Sequence, residues 1–135
     1  PRGANASEKE PGEPMTGKTI LVVEDSPTEL LVVTNLLQDG GYYFTVATDG
    51  EEAIQKATQQ KPDLMLLDIL LPKKNGFQVC RTLKSSPETK GIKIIVLSGK
   101  NQESDKYWGM KQGADLYLTK PVKKDELLSA ISRML

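Results

Sequence analysis

Five times along this chain an apolar, β-branched run is followed by a segment of helical periodicity, and that alternation leaves few folds open. The apolar runs are Thr19–Val23, Phe44–Ala47, Leu64–Leu67, Lys93–Leu97 and Leu116–Leu118. The helical segments span about Thr28–Gln38, Gly50–Gln59, Asn75–Ser85, Gln102–Gln112 and Lys123–Leu135. ILVV, LMLL and IIVL are continuous rather than alternating, which marks strands buried on both faces of a parallel sheet. Strand–helix alternation with short connections predicts an α/β, doubly wound (βα)5 sheet. Right-handed crossovers then put helices on both of its faces. A chain of 135 residues suits one such domain.

Composition narrows the chemistry. Lys+Arg and Asp+Glu are both 18, so the formal charge is zero and nothing electrostatic favours nucleic acid as a direct partner. There is no histidine, which removes His-based metal sites, Ser-His and Cys-His catalysis, and a histidine phosphoryl carrier within these residues. The single cysteine, Cys80, permits no internal disulfide and reads as a small core residue in an amphipathic segment. No apolar run approaches the roughly 18 residues of a membrane span, so no membrane insertion and a cytoplasmic location are expected. Residues 1–17, rich in Pro, Gly, Glu and Lys, read as a disordered leader, linker or remnant ahead of a domain at 18–135, with Met15 a possible native start.

A doubly wound sheet places its ligands beyond the carboxyl ends of its strands, near the point where strand order reverses. After the first run stand Glu24 and Asp25, and after the third Asp68. Ser98, Gly99 and Lys100 follow the fourth, and Thr119, Lys120 and Pro121 follow the fifth. Three clustered carboxylates repel one another, and hard oxygen ligands at an open rim suit Mg²⁺. Lys120 adds a positive charge for phosphoryl oxygens, and Ser98 a hydroxyl donor. Asp68 can then serve as a nucleophile that forms an aspartyl phosphate. Singly, each residue has a plainer reading: Asp25 before Ser26-Pro27 can be a helix N-cap, Lys120-Pro121 a turn, Ser98-Gly99 a loop. Their joint placement at four strand ends favours the phosphoryl chemistry.

The acidic pair in VVEDSP, the segment LLDILLPKKNG around Asp68, VLSG with Ser98 and YLTKP with Tyr117, Lys120 and Pro121 closely resemble the receiver domain of bacterial two-component response regulators, over Lys18 to Leu135. The resemblance implies a flavodoxin-like three-layer sandwich with strand order 2-1-3-4-5. It implies that Asp68 accepts phosphate from the phosphohistidine of a sensor histidine kinase or phosphotransfer protein. Asp25, Asp68 and the backbone carbonyl of Leu70 would ligate Mg²⁺, with Glu24 acting through water. Lys120 and Ser98 would bind the phosphoryl group, Ser98 and Tyr117 would form the switch, and the Lys120–Pro121 bond would be cis. The face built from the fourth helix, fifth strand and fifth helix would be read by a protein partner. The domain would be a signalling module rather than an enzyme, with self-phosphorylation from a phosphodonor and slow self-dephosphorylation only. The stretch WGMKQGADLYLTKP is similar to stand-alone regulators of twitching motility and phototaxis. A stand-alone regulator is the favoured arrangement, with a receiver cut from a hybrid kinase or multidomain regulator as the alternative.

Two other activities compete on motif grounds. Gly12 to Thr19 matches the P-loop pattern, but that motif needs a strand before it and a helix after it, whereas the strand ILVV follows. An aspartate-nucleophile phosphatase of the haloacid dehalogenase type resembles the Asp68 segment, yet it requires a second acid two residues on, where Leu70 stands. Leu70 and Lys100 occupy positions that tune phosphate lifetime in receivers, and neither positions water. Trp108 and Met110 fall in the fourth helical segment, where spacing favours core or half-buried packing over a role as partner anchors.

Overall fold

The computed structural model describes residues 18–99 and 102–135. Within them strands and helices alternate strictly: β1 (Thr19–Val23), α1 (Pro27–Asp39), β2 (Tyr43–Ala47), α2 (Gly50–Gln60), β3 (Leu64–Asp68), α3 (Gly76–Ser85), β4 (Lys93–Ser98), α4 (Glu103–Lys111), β5 (Leu116–Thr119) and α5 (Lys124–Met134). The strands form one parallel sheet in the order β2-β1-β3-β4-β5. This is the expected doubly wound, three-layer architecture, with element ends within a residue or two of those read from sequence. The disordered-leader reading of residues 1–17, most of the P-loop match and Lys100 lie outside the described residues. Thr19 opens a strand, so the helix a P-loop requires does not follow it.

Continuous apolar strands are needed because side chains alternate between two covered faces. Leu21, Val23, Met65, Leu67, Ile94 and Val96 point to one side, against Ala53, Ala57, Val79 and Leu83 of α2 and α3. Ile20, Val22, Leu64, Leu66, Ile95 and Leu97 point to the other, against Val33 and Leu37 of α1 and Leu127 and Ile131 of α5. Every residue of β3, the central strand, is buried. Cys80 is in the first core as expected, and burial pushes its thiol up to about 11, which leaves it unreactive.

Two local expectations change. The N-cap of α1 is Ser26, whose Oγ accepts from the Glu29 N–H at 3.4 Å with Pro27 opening the helix, so Asp25 does not cap it. Trp108 and Met110 stand about half exposed, at the outer limit of the packing their spacing suggests, and Tyr107 is 64% exposed. The buried residue of α4 is Gly109, because its apolar side chains do not gather on one stripe. Among the described residues, no helix is long and apolar enough to cross a membrane.

Candidate phosphoryl-transfer site

Strand register brings the candidate residues together. Val23 pairs with Leu67, so Glu24 and Asp25 leave β1 beside Asp68, the last residue of β3. Asp68 pairs with Leu97, one step before Ser98, and Ser98 pairs with Thr119, one step before Lys120. The Lys120 N–H donates to the Ser98 carbonyl at 2.8 Å and ties the last two strand ends together. The Lys120–Pro121 peptide is cis, as expected.

The main chain at Asp68 is held by α3. Asn75 and Gln78 form a reciprocal capping box at its first turn, and the Gly76 N–H donates to the Ile69 carbonyl at 2.8 Å. A Cβ on Gly76 would lie 2.4 Å from the Asp68 carbonyl oxygen, so this helix start approaches the strand end only because residue 76 has no side chain. The Leu70 N–H donates to Asp68 Oδ1 at 3.3 Å and fixes the carboxylate plane, while the Leu70 side chain is 61% exposed.

Carboxylate oxygens of Glu24, Asp25 and Asp68 all lie within 4.8 Å of one another. Glu24 and Asp68 are buried and Asp25 is exposed, which gives the cluster two inner ligands and one at the rim. Burial drives the Glu24 carboxyl above its ordinary value, and the Asp68 charge adds to that. Hydrogen bonds from Lys120 and the Ser26 N–H oppose it without prevailing. Such a cluster suits a hard divalent cation held by few carboxylates and several waters, as Mg²⁺ is.

Lys120 is the cation already present. Its Nζ is 2.6 Å from Glu24 Oε1 and 3.5 Å from Asp68 Oδ2, and it also pairs with Glu29. Burial works against the ammonium, but these carboxylates outweigh it and raise the Lys120 pKa. Glu29 was not among the residues expected from sequence. Ser26-Pro-Thr-Glu29 has the spacing of a capping box, which accounts for the acid as a helix device and hides any other use. In the structure the second half of that box is not made by Glu29. The Ser26 N–H donates to Glu24 Oε2 at 3.2 Å, and the Glu29 carboxylate reaches Lys120 instead.

Ser98 is fully buried and hydrogen-bonded through its side chain to Tyr117, whose phenol burial raises above its usual pKa. The Tyr117 ring packs on the face that holds α2 and α3 and lies directly against Gly109 of α4. A cavity of about 410 Å³ opens over Asp68, bordered by Glu29, Leu70, Gly99 and Lys120 and walled on its apolar side by Val32 and Val122. Every expected site residue is therefore gathered at one end of the sheet. The arrangement offers a nucleophilic carboxylate, an acidic cation site and an ammonium within one opening large enough for a phosphoryl donor.

Comparison with known proteins gives a consistent result. The model of the response regulator receiver domain family matches residues 20–132. Protein PilH of Pseudomonas aeruginosa is 45% identical over 116 residues, which is 86% of this chain and 96% of PilH. The alkaline phosphatase synthesis transcriptional regulatory protein PhoP of Bacillus subtilis is 39% identical over 118 residues, 87% of this chain but 48% of PhoP, so the chain spans about half the length of that relative. Among solved structures, the receiver domain of a sensor histidine kinase from Pseudomonas aeruginosa, with a magnesium ion coordinated in its active site cleft, superposes with a TM-score of 0.82 at 31% identity. That match covers 87% of this chain and 97% of the other.

Proposed function

Because the chain belongs to the response regulator receiver family, the signalling modules of two-component systems, we propose that Asp68 is its phosphoacceptor and that residues 18–135 form the working domain. The observation that carries the reading is the meeting of Glu24, Asp25 and Asp68 oxygens within 4.8 Å, with Lys120 Nζ 3.5 Å from Asp68. The family receives its phosphoryl group from histidine kinases or phosphotransfer proteins. An Asp68 carboxylate oxygen forms the new O–P bond as the P–N bond to the donor imidazole breaks, and the electron pair leaves with the imidazole nitrogen. Lys120 meets the charge on the transferred oxygens, and the buried Ser98 hydroxyl donates to one of them.

Asp25 and Asp68, with the Leu70 carbonyl, would hold Mg²⁺, and Glu24 would support it through water. The ion, when bound, neutralises charge on the phosphoryl oxygens. Phosphorylation adds about −1.5 to −2 charges beside Ser98. Drawn to these oxygens, Ser98 gives up its hydrogen bond to Tyr117 and frees the ring to repack. The face of α4, β5 and α5 then shifts between two packings, and a protein partner reads the difference. As a signalling module it turns over no ordinary phosphate ester; it phosphorylates itself from a donor and loses the group slowly.

Incubation with acetyl phosphate and Mg²⁺ tests this, followed by intact-mass measurement and hydroxylamine treatment. One hydroxylamine-labile phosphoryl group is expected on the wild type and none on Asp68→Asn. Equal uptake by the two proteins would sink the assignment.

A further inference from the structure

A carboxylate that nothing in the phosphoryl chemistry calls for sits on the lysine ammonium that chemistry uses. Lys120 is 17% exposed and faces three carboxylates: Glu24 and Asp68 from strand ends, and Glu29 from α1. The first two belong to the acidic cluster. Glu29 does not, and its side chain is 49% exposed at the rim of the cavity over Asp68. It is also released from the duty its sequence position suggests. The Ser26 N–H that a capping-box glutamate would accept from is taken by Glu24 Oε2, so the Glu29 carboxylate is free to lie across the opening.

We propose that Glu29 is an anionic guard: it occupies Lys120 at the mouth of the site and selects against small, highly charged phosphodonors. This rests on the Asp68 phosphoacceptor reading above. A phosphoryl group bound at Asp68 needs the Lys120 ammonium, and it brings its own negative charge to the space Glu29 borders. A dianionic donor therefore meets a neutralised lysine and an extra carboxylate. A donor whose charge is lower, or a protein that offers Glu29 another cation while docking on α1, meets less opposition. Glu29 touches neither nucleophile nor metal cluster in this arrangement, so it is a positioning residue acting through Lys120.

The test compares wild type and Glu29→Gln with two donors and Mg²⁺. With acetyl phosphate, Asp68 forms an O–P bond as the P–O bond to the acetyl group breaks and acetate leaves with the pair. With phosphoramidate, one negative charge lower, the P–N bond breaks and ammonia leaves. Glu29→Gln should speed labelling by acetyl phosphate about tenfold, the equivalent of roughly 1.4 kcal/mol for one removed charge near the surface, and labelling by phosphoramidate distinctly less. The advantage should shrink as salt is raised, because Glu29 is half exposed and screened within about 8 Å at physiological ionic strength. A purely structural role would not produce that donor and salt dependence. Equal or slower labelling of Glu29→Gln overturns the guard while leaving Asp68 as acceptor. A tenfold or larger loss of Mg²⁺ affinity by calorimetry, without phosphodonor, also overturns it by making Glu29 a metal ligand. If the wild type takes up no label, or Asp68→Asn takes up as much, the underlying assignment fails instead.

Discussion

Gly109 offers a perturbation whose sign depends on one neighbouring ring. A Cβ at this position would sit 2.9 Å from Tyr117 Cδ2, 3.2 Å from Cε2 and 3.5 Å from Phe77 Cε1. Carbon pairs settle at about 3.5–4.0 Å, so the first contact is roughly 0.6 Å too short. Overpacking of this kind costs about 1–3 kcal/mol. Against it stands the gain of about 1 kcal/mol from replacing a helix-interior glycine by alanine. Gly109→Ala should therefore destabilise the native protein by about 0–2 kcal/mol. In a Tyr117→Ala background the obstructing ring is gone and the helix gain remains, so the same substitution should stabilise by about 1 kcal/mol. Urea unfolding of the four proteins in this cycle measures both effects, with an unchanged m-value as the sign that only stability moved. If Gly109→Ala changes stability equally with and without the Tyr117 ring, the packing argument is wrong. The ring that Gly109 accommodates is hydrogen-bonded to Ser98, so in the proposed switch α4 sets the room in which Tyr117 would move.

Two further outcomes follow from the same site. Gly76→Ala would put a Cβ 2.4 Å from the Asp68 carbonyl, a backbone atom with nowhere to go, so stability should fall by about 3 kcal/mol. A displacement of Asp68 near 1 Å would also slow labelling by acetyl phosphate on the order of 10²-fold, and a variant of wild-type rate and stability would refute the close-approach argument. Burial raises the Glu24 carboxyl, so the folded protein keeps that proton to a higher pH than the unfolded chain. Its contribution to stability is then full at low pH and is lost as pH rises through the folded-state value. Metal-free Glu24→Gln should accordingly be more stable than wild type at neutral pH, with the advantage vanishing in acid. Urea midpoints on either side of the carboxylate range check this, and a less stable neutral variant would contradict it.

How much of this could be read from the residues differs by level. The parallel sheet was legible because ILVV, LMLL and IIVL cannot be half-solvated strands, and a sheet covered on both faces needs helices from both sides. The site was legible for the same reason: once the strands are parallel and in register, Glu24, Asp25, Asp68, Ser98 and Lys120 have no other end of the sheet to occupy. Side-chain partners one step away were not legible. Asp25 before Ser26-Pro27 reads as a capping residue, and only the geometry of the turn decides that Ser26 caps while Glu24 takes the Ser26 N–H. Trp108 and Met110 read as packing residues by their spacing, yet they flank the glycine that α4 turns inward, and the helix meets Tyr117 at a position that has no side chain.

That last arrangement has a physical logic. In the proposed switch, the Tyr117 ring must pack well enough to be ordered and loosely enough to leave. A large apolar side chain at position 109 would interlock with Tyr117 and leave the ring no room to move, whereas glycine gives contact without interlocking. The same economy recurs at Glu29. A residue that completed its capping box would be fixed in the helix start, but one displaced from it by Glu24 can hold Lys120 or release it. In both places a local rule of secondary structure is left unfulfilled beside atoms that change partners in the proposed mechanism, which is where conflict between local preference and function is expected.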